Sequence, residues 1–191
     1  MSIFTTWTGA TLEFDKLDQY KPDIKDIAHS LSLLCRYRGQ IDDLYSVAQH
    51  SLFVEEILKT EGHNHFIRLS GLLHDAPESI ISDCPSPLKQ ALPEFMAFEK
   101  RIGDLFDWHF QVQSDLPEVR AADKAALEAE SYCLFPTEGT FQHYCNFMIS
   151  DPSPSKYSGL FRGVENPKVT EQKFLAKYWE LKYLIEKDFQ P

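Results

Sequence analysis

At about 150 residues per domain, a chain of 191 residues is expected to form one domain, long enough to bury a core without staples. Apolar residues at 43% and charged residues at 25% exclude a collagen, a wholly disordered chain and a long coiled coil. With 19 basic against 29 acidic residues the formal net charge is −10, which argues against a generic nucleic-acid coat, because phosphate backbones are held by excess Lys and Arg. Such an acidic chain needs a local cation, a metal or a few placed basic residues, to bind even a small phosphate compound.

Residues 1–21 hold Gly9, several β-branched residues and a short alternating run, and read as an irregular or hairpin-like lead-in. Pro22 and Asp23 mark a helix start, after which Ile24, Ile27, Ala28, Leu31 and Leu34 recur at helical spacing, with Gly39 as the expected stop. A second helix is expected over about Tyr45 to Lys59, and a third through Phe66, Leu69, Leu72 and Leu73, ending near His74–Asp75. Pro77 belongs in the first turn of a new helix. Residues 84–87 (CPSP) read as a turn, and further helices are expected over 93–111 and 117–135. Residues 136–168, rich in Pro, Gly, Ser and aromatics, read as a long loop or insertion of the kind that forms lids or mobile segments. A last amphipathic helix is expected over 169–188. The sum is an all-α, single-domain helical bundle.

The four cysteines form no CxxC pair, which fits a reducing compartment and excludes a zinc ribbon. The first residues show neither a basic stretch nor a long apolar run, so no signal peptide is expected, and no stretch approaches a membrane span. The expectation is a cytoplasmic protein with no membrane partner.

Residues 71–83 carry the strongest chemical signal. They set His74 beside Asp75, with Glu78 four residues and Asp83 nine residues after His74. His50 lies upstream in a predicted helix and Asp123 downstream in another. Two imidazole nitrogens and two carboxylate oxygens from three helices would make a shell for a divalent transition metal, with positions left open for water and substrate. Taken singly, each residue has an ordinary structural explanation. His50 fits a hydrogen-bonded core histidine, Asp75 and Glu78 fit a capping box, Asp83 fits a turn, and Asp123 fits a surface acid beside Lys124. Those explanations do not account for the order and spacing of the set.

That order resembles the HD-domain metal-dependent phosphohydrolase superfamily. The stretches 35–39 (CRYRG), 45–51 (YSVAQHS) and 74–89 (HDAPESIISDCPSPLK) resemble its small bacterial and phage branch, which includes bacterial 5′-deoxynucleotidases and lies near phage dATP triphosphohydrolases. The resemblance spans about residues 22–135. It implies that His50, His74, Asp75 and Asp123 are metal ligands and that Glu78 is the catalytic carboxylate. It further implies that Arg36 contacts the substrate phosphate and that Asp83 lies near phosphate and sugar. Tyr37 stands where relatives often carry a Trp against the nucleoside, which leaves base preference open. Some members use two metals, with extra histidines between the HisAsp pair and the last Asp; only His109 lies in that interval, so one ion is expected.

The expected function is removal of phosphate from deoxynucleoside 5′-monophosphates by a metal-activated water, with one divalent ion among Mn, Co, Zn, Fe and Ni as cofactor. Glu78 would orient or deprotonate that water, or protonate the leaving oxygen. Arg36 would fork two phosphate oxygens. Lys89 is a candidate second cation, its ordinary alternative being a solvated lysine after a proline turn. The rival activities are a dNTP triphosphohydrolase and a non-catalytic nucleotide-binding module. The expected partners are a nucleotide substrate and further copies of the chain in a homo-oligomer.

Overall fold

The opening residues form the hairpin-like lead-in. Ile3–Thr5 (β1) and Thr11–Glu13 (β2) pair antiparallel, with Ile3 opposite Glu13 and Thr5 opposite Thr11. The hairpin is tied to the first helix by Asp26, whose carboxylate accepts hydrogen bonds from the Thr8 amide at 2.7 Å and hydroxyl at 2.8 Å. The computed structural model describes residues 3–135 and 155–188, and over these the fold is all-α.

Helix α1 (Ile24–Leu33) starts where Asp23 accepts a hydrogen bond from the Lys25 amide at 2.8 Å. It does not run on to Gly39. Instead Cys35 forms a bridge with Ser46, the Arg36 amide donates to the Tyr45 carbonyl at 2.8 Å, and the Val47 amide donates to the Leu34 carbonyl at 2.9 Å. These ladder-like bonds compete with the helix and end it early. Residues 37–39 then make a left-handed turn, with φ of 56° at Tyr37, 54° at Arg38 and 71° at Gly39. Two adjacent non-glycine residues in that region are strained, and such strain concentrates at functional sites.

Ser46 and Asn64 cap α2 (Val47–Thr60) and α3 (His65–Leu73), accepting from the Gln49 and Ile67 amides respectively. The expected new helix at Pro77 is α4 (Glu78–Ile81). The turn expected over 84–87 is shorter than that, because α5 (Ser86–Ala91) already begins at Ser86 and a proline in its first turn needs no amide partner. The helices α6 (Pro93–Phe110), α7 (Pro117–Leu134) and α8 (Pro167–Asp188) match their predicted ranges to within two residues.

Two groups of buried side chains hold these elements. Leu12, Ile27, Leu31, Leu69, Leu72, Ile102, Phe106, Phe174 and Leu181 join the hairpin, α1, α3, α6 and α8. Val54, Ile57 and Leu58 of α2 meet Val119, Ala122, Ala126 and Ala129 of α7. The alanines let α7 approach α2 closely, which brings Asp123 towards His50. Of the predicted long loop, residues 136–154 lie outside the described residues. In the remainder Tyr157 is buried in the second group, and Gln49 pins the chain by bonds to the Gly163 carbonyl and the Glu165 amide at 3.1 and 3.2 Å. Among the described residues no helix is long and apolar enough to cross a membrane.

Candidate metal centre

His50 is fully buried on α2, and His74 follows the last residue of α3. Their Nε2 atoms lie 3.3 Å apart. Asp123 Oδ1 stands 3.0 Å from His50 Nε2 and 3.8 Å from His74 Nε2. Asp75 Oδ2 stands 3.2 Å from His74 Nε2 and 3.6 Å from His50 Nε2. The ligand atoms of His50, His74 and Asp123 all fall within 4.8 Å of one another, and Asp75 flanks both rings. Two helices, α2 and α7, and the C-terminal end of α3 thus aim two nitrogens and two oxygens at one spot.

The outer nitrogens are also held. His74 Nδ1 lies 2.8 Å from the Gly71 carbonyl, to which it can only donate, so Nδ1 carries the proton. His50 Nδ1 lies 2.7 Å from Glu130 Oε1. The same Glu130 oxygen accepts from the Tyr45 hydroxyl at 2.9 Å, and Oε2 accepts from the Tyr37 hydroxyl at 2.9 Å. Such partners fix the tautomer and orientation of a ligating histidine. Neither Glu130 nor Tyr45 stood out in the sequence. The available signal was a Glu seven residues after Asp123, two turns along an alanine-rich helix face.

Arg36, expected at the phosphate, lies beside the cluster. Its Nη1 is 3.5 Å from Asp75 Oδ2 and its Nε is 3.6 Å from Glu130 Oε2, too long for a hydrogen bond, which leaves Nε buried without one. Tyr37 gives its hydroxyl to Glu130, turns its ring edge-on to Phe135 at 5.4 Å, and has the Arg36 guanidinium 5.6 Å from its centroid. The Tyr37 hydroxyl therefore reaches into the cluster.

The electrostatics follow from burial and crowding. Burial would raise Asp75, but the adjoining His74, His50 and Arg36 outweigh it and hold the carboxyl well below the usual range. Burial would likewise lower His74, yet Asp75 and Asp123 push it up to about 9. Glu130 keeps a lowered pKa, because His50 and Arg36 overcome its burial.

Glu78 behaves differently. It is 7% exposed, and its Oε2 has no hydrogen-bond partner. Burial, with the charges of Asp75 and Asp83 added, pushes it up to about 9. Asp83 follows Ser82, whose φ of 69° is strained for a residue with a side chain, and burial raises its carboxyl despite Arg36. Lys89 is half-buried and pairs with Glu99 at 2.5 Å, while Glu78 and Asp75 also favour its charge. His29 lies elsewhere, stacked on Trp7 and paired with Glu171, and His65 pairs with Asp188.

The chain is 32% identical over 142 residues to the uncharacterized protein YfdR of Escherichia coli K12, a match covering 74% of this chain and 77% of that one. The chain belongs to the YfdR family. It is also 32% identical over 168 residues to the uncharacterized protein RCAP_rcc00048 of Rhodobacter capsulatus, covering 82% of this chain and 83% of that one. No family model matches the chain. Neither relative's name states an activity, and what this YfdR-family chain can do rests on its own side chains.

Proposed function

We propose that this chain is a metal-dependent nucleotide phosphohydrolase that removes phosphate from deoxynucleoside 5′-monophosphates. The observation that carries the reading is the convergence of His50 Nε2, His74 Nε2, Asp75 Oδ2 and Asp123 Oδ1, with the Arg36 guanidinium 3.5 Å from the Asp75 oxygen. Two imidazoles and two carboxylates suit Mn, Fe, Co, Ni or Zn. His74 Nδ1, which donates to Gly71, leaves Nε2 free to ligate.

A divalent ion in this set would supply Lewis acidity and a water of lowered pKa. The protein supplies the rest. Arg36, its Nε unpartnered, offers N–H donors to phosphate oxygens and stabilises the charge of the transition state. Glu78 has an unpartnered oxygen, and burial with the charges of Asp75 and Asp83 raises its pKa. A carboxyl raised in this way suits the general-acid role, delivery of a proton to the departing 5′ oxygen. Lys89, paired with Glu99, adds positive charge beside Glu78.

The reading places the protein in a reducing cytoplasm, in keeping with the free thiols of Cys35, Cys84 and Cys133. It also includes a homo-oligomer, for which the exposed Trp179 and Tyr183 of α8 offer apolar surface; light scattering at monomer mass would remove that part.

The test is a product assay on metal-stripped protein with each metal restored in turn and dNMPs and dNTPs offered in parallel. Inorganic phosphate from dNMPs is the expected result. Triphosphate released from a dNTP would make the chain a triphosphohydrolase, and no product with any metal would overturn the hydrolase reading.

A further inference from the structure

Glu130 is a carboxylate with no exposure to solvent, on a helix face made mostly of alanine. A buried carboxylate is costly unless several groups satisfy it. Here four do. His50 Nδ1 at 2.7 Å and the Tyr45 hydroxyl at 2.9 Å share Oε1, while the Tyr37 hydroxyl at 2.9 Å and Arg36 Nε at 3.6 Å face Oε2. One oxygen thus serves the metal-ligand side of the site and the other serves the phosphate side.

We infer that Glu130 is a positioning residue that orients His50 towards the ion and Arg36 towards the substrate phosphate at the same time. The inference rests on the metal-dependent reading of the site. Its geometric basis is that His50 is gripped at both ring nitrogens. Asp123 lies 3.0 Å from Nε2, Glu130 lies 2.7 Å from Nδ1, and both acids come from α7, seven residues apart. The ring cannot turn over without breaking the Glu130 bond. The strained left-handed turn at Tyr37–Arg38 is held at its tip by the Tyr37 hydroxyl on the same carboxylate, so Glu130 also fixes the backbone that presents Arg36.

The experiment is calorimetric titration of Mn(II) or Co(II) into the metal-stripped full chain and its Glu130→Gln variant, with circular dichroism as a check that both are folded. Glutamine keeps the size but weakens the grip on Nδ1. The wild type is expected to bind one ion, and the variant to bind it about 10- to 100-fold more weakly. The Co(II) absorption spectrum should also change, which a purely structural role would not cause. Equal affinity and an unchanged spectrum in a folded Glu130→Gln protein would overturn the inference and leave the metal reading standing. Failure of the wild type to bind any ion would overturn both. If Glu130→Gln does not fold, Tyr45→Phe removes a hydroxyl from the same oxygen. It should shift affinity in the same direction by a smaller factor, and an unchanged affinity there would overturn the inference.

Discussion

Gly71 and Leu58 lie so close that a Cβ on Gly71 would stand 2.3 Å from Leu58 Cδ1, with Val54 Cγ1 at 3.4 Å. The missing side chain lets α3 settle on α2, and the crossing carries His74 to His50. The Gly71 carbonyl, three residues before His74, also accepts the His74 Nδ1 proton at 2.8 Å. Gly71→Ala should therefore push the two helices apart at a fully buried Leu58. The expected cost is about 1–3 kcal/mol, read by denaturant unfolding, or roughly 2–4 °C of Tm per kcal/mol for a chain of this size. Unchanged stability would mean that Leu58 has room to rotate away.

In the proposed mechanism Glu78 delivers a proton without belonging to the ligand set. Glu78→Gln should leave ion affinity near the wild-type value and reduce turnover by about 100-fold or more. Steady-state kinetics at saturating metal would check it. Full activity in the variant would remove Glu78 from the proton-transfer role.

The four candidate positions were legible because their placement is local or helical. His74 and Asp75 are adjacent, and His50 and Asp123 sit on helices that their own apolar spacing predicts. Glu130 was not legible, because its part depends on how α7 registers against α2, which Val54, Ile57, Ala122 and Ala126 decide by packing. The turn at 37–39 was hidden for another reason. Tyr37 and Arg38 have no preference for positive φ, and the tertiary bonds of Tyr37 to Glu130 and of Arg36 to the Tyr45 carbonyl override local propensity. Gly39 looked like a helix stop, but it closes a turn that begins after α1 has ended.

An ion bound by the folded state alone must stabilise it. At an ion concentration 100 times its Kd, the gain is about 2.7 kcal/mol. Thermal unfolding should therefore move upward when Mn(II), Co(II) or Zn(II) is added to stripped protein. The shift should vanish in His50→Ala and in Asp123→Ala, both of which remove a ligand atom from the cluster. A shift of equal size in those variants would place the ion elsewhere.

The segment after residue 154 is anchored by a titratable contact. The Tyr157 hydroxyl donates to Glu61 at the end of α2, and Lys156 Nζ lies 3.4 Å from the same carboxylate. The Tyr157 bond is the main cause that lowers the Glu61 pKa below 4.5, with Lys156 adding to it against modest burial. A carboxyl whose pKa is depressed in the folded state binds fewer protons there than in the unfolded chain. Its contribution to stability is then fully present above pH 4.5 and is lost as pH falls through the lower folded value. Urea unfolding of wild type and Glu61→Gln across a pH series should show the wild type ahead near neutrality and the gap closing in acid. Tyr157→Phe should flatten the same slope, because it removes the leading cause of the shift while leaving the ring in its buried place against α2 and α7. A gap that stays constant down to acid would mean that Glu61 holds the segment by packing alone.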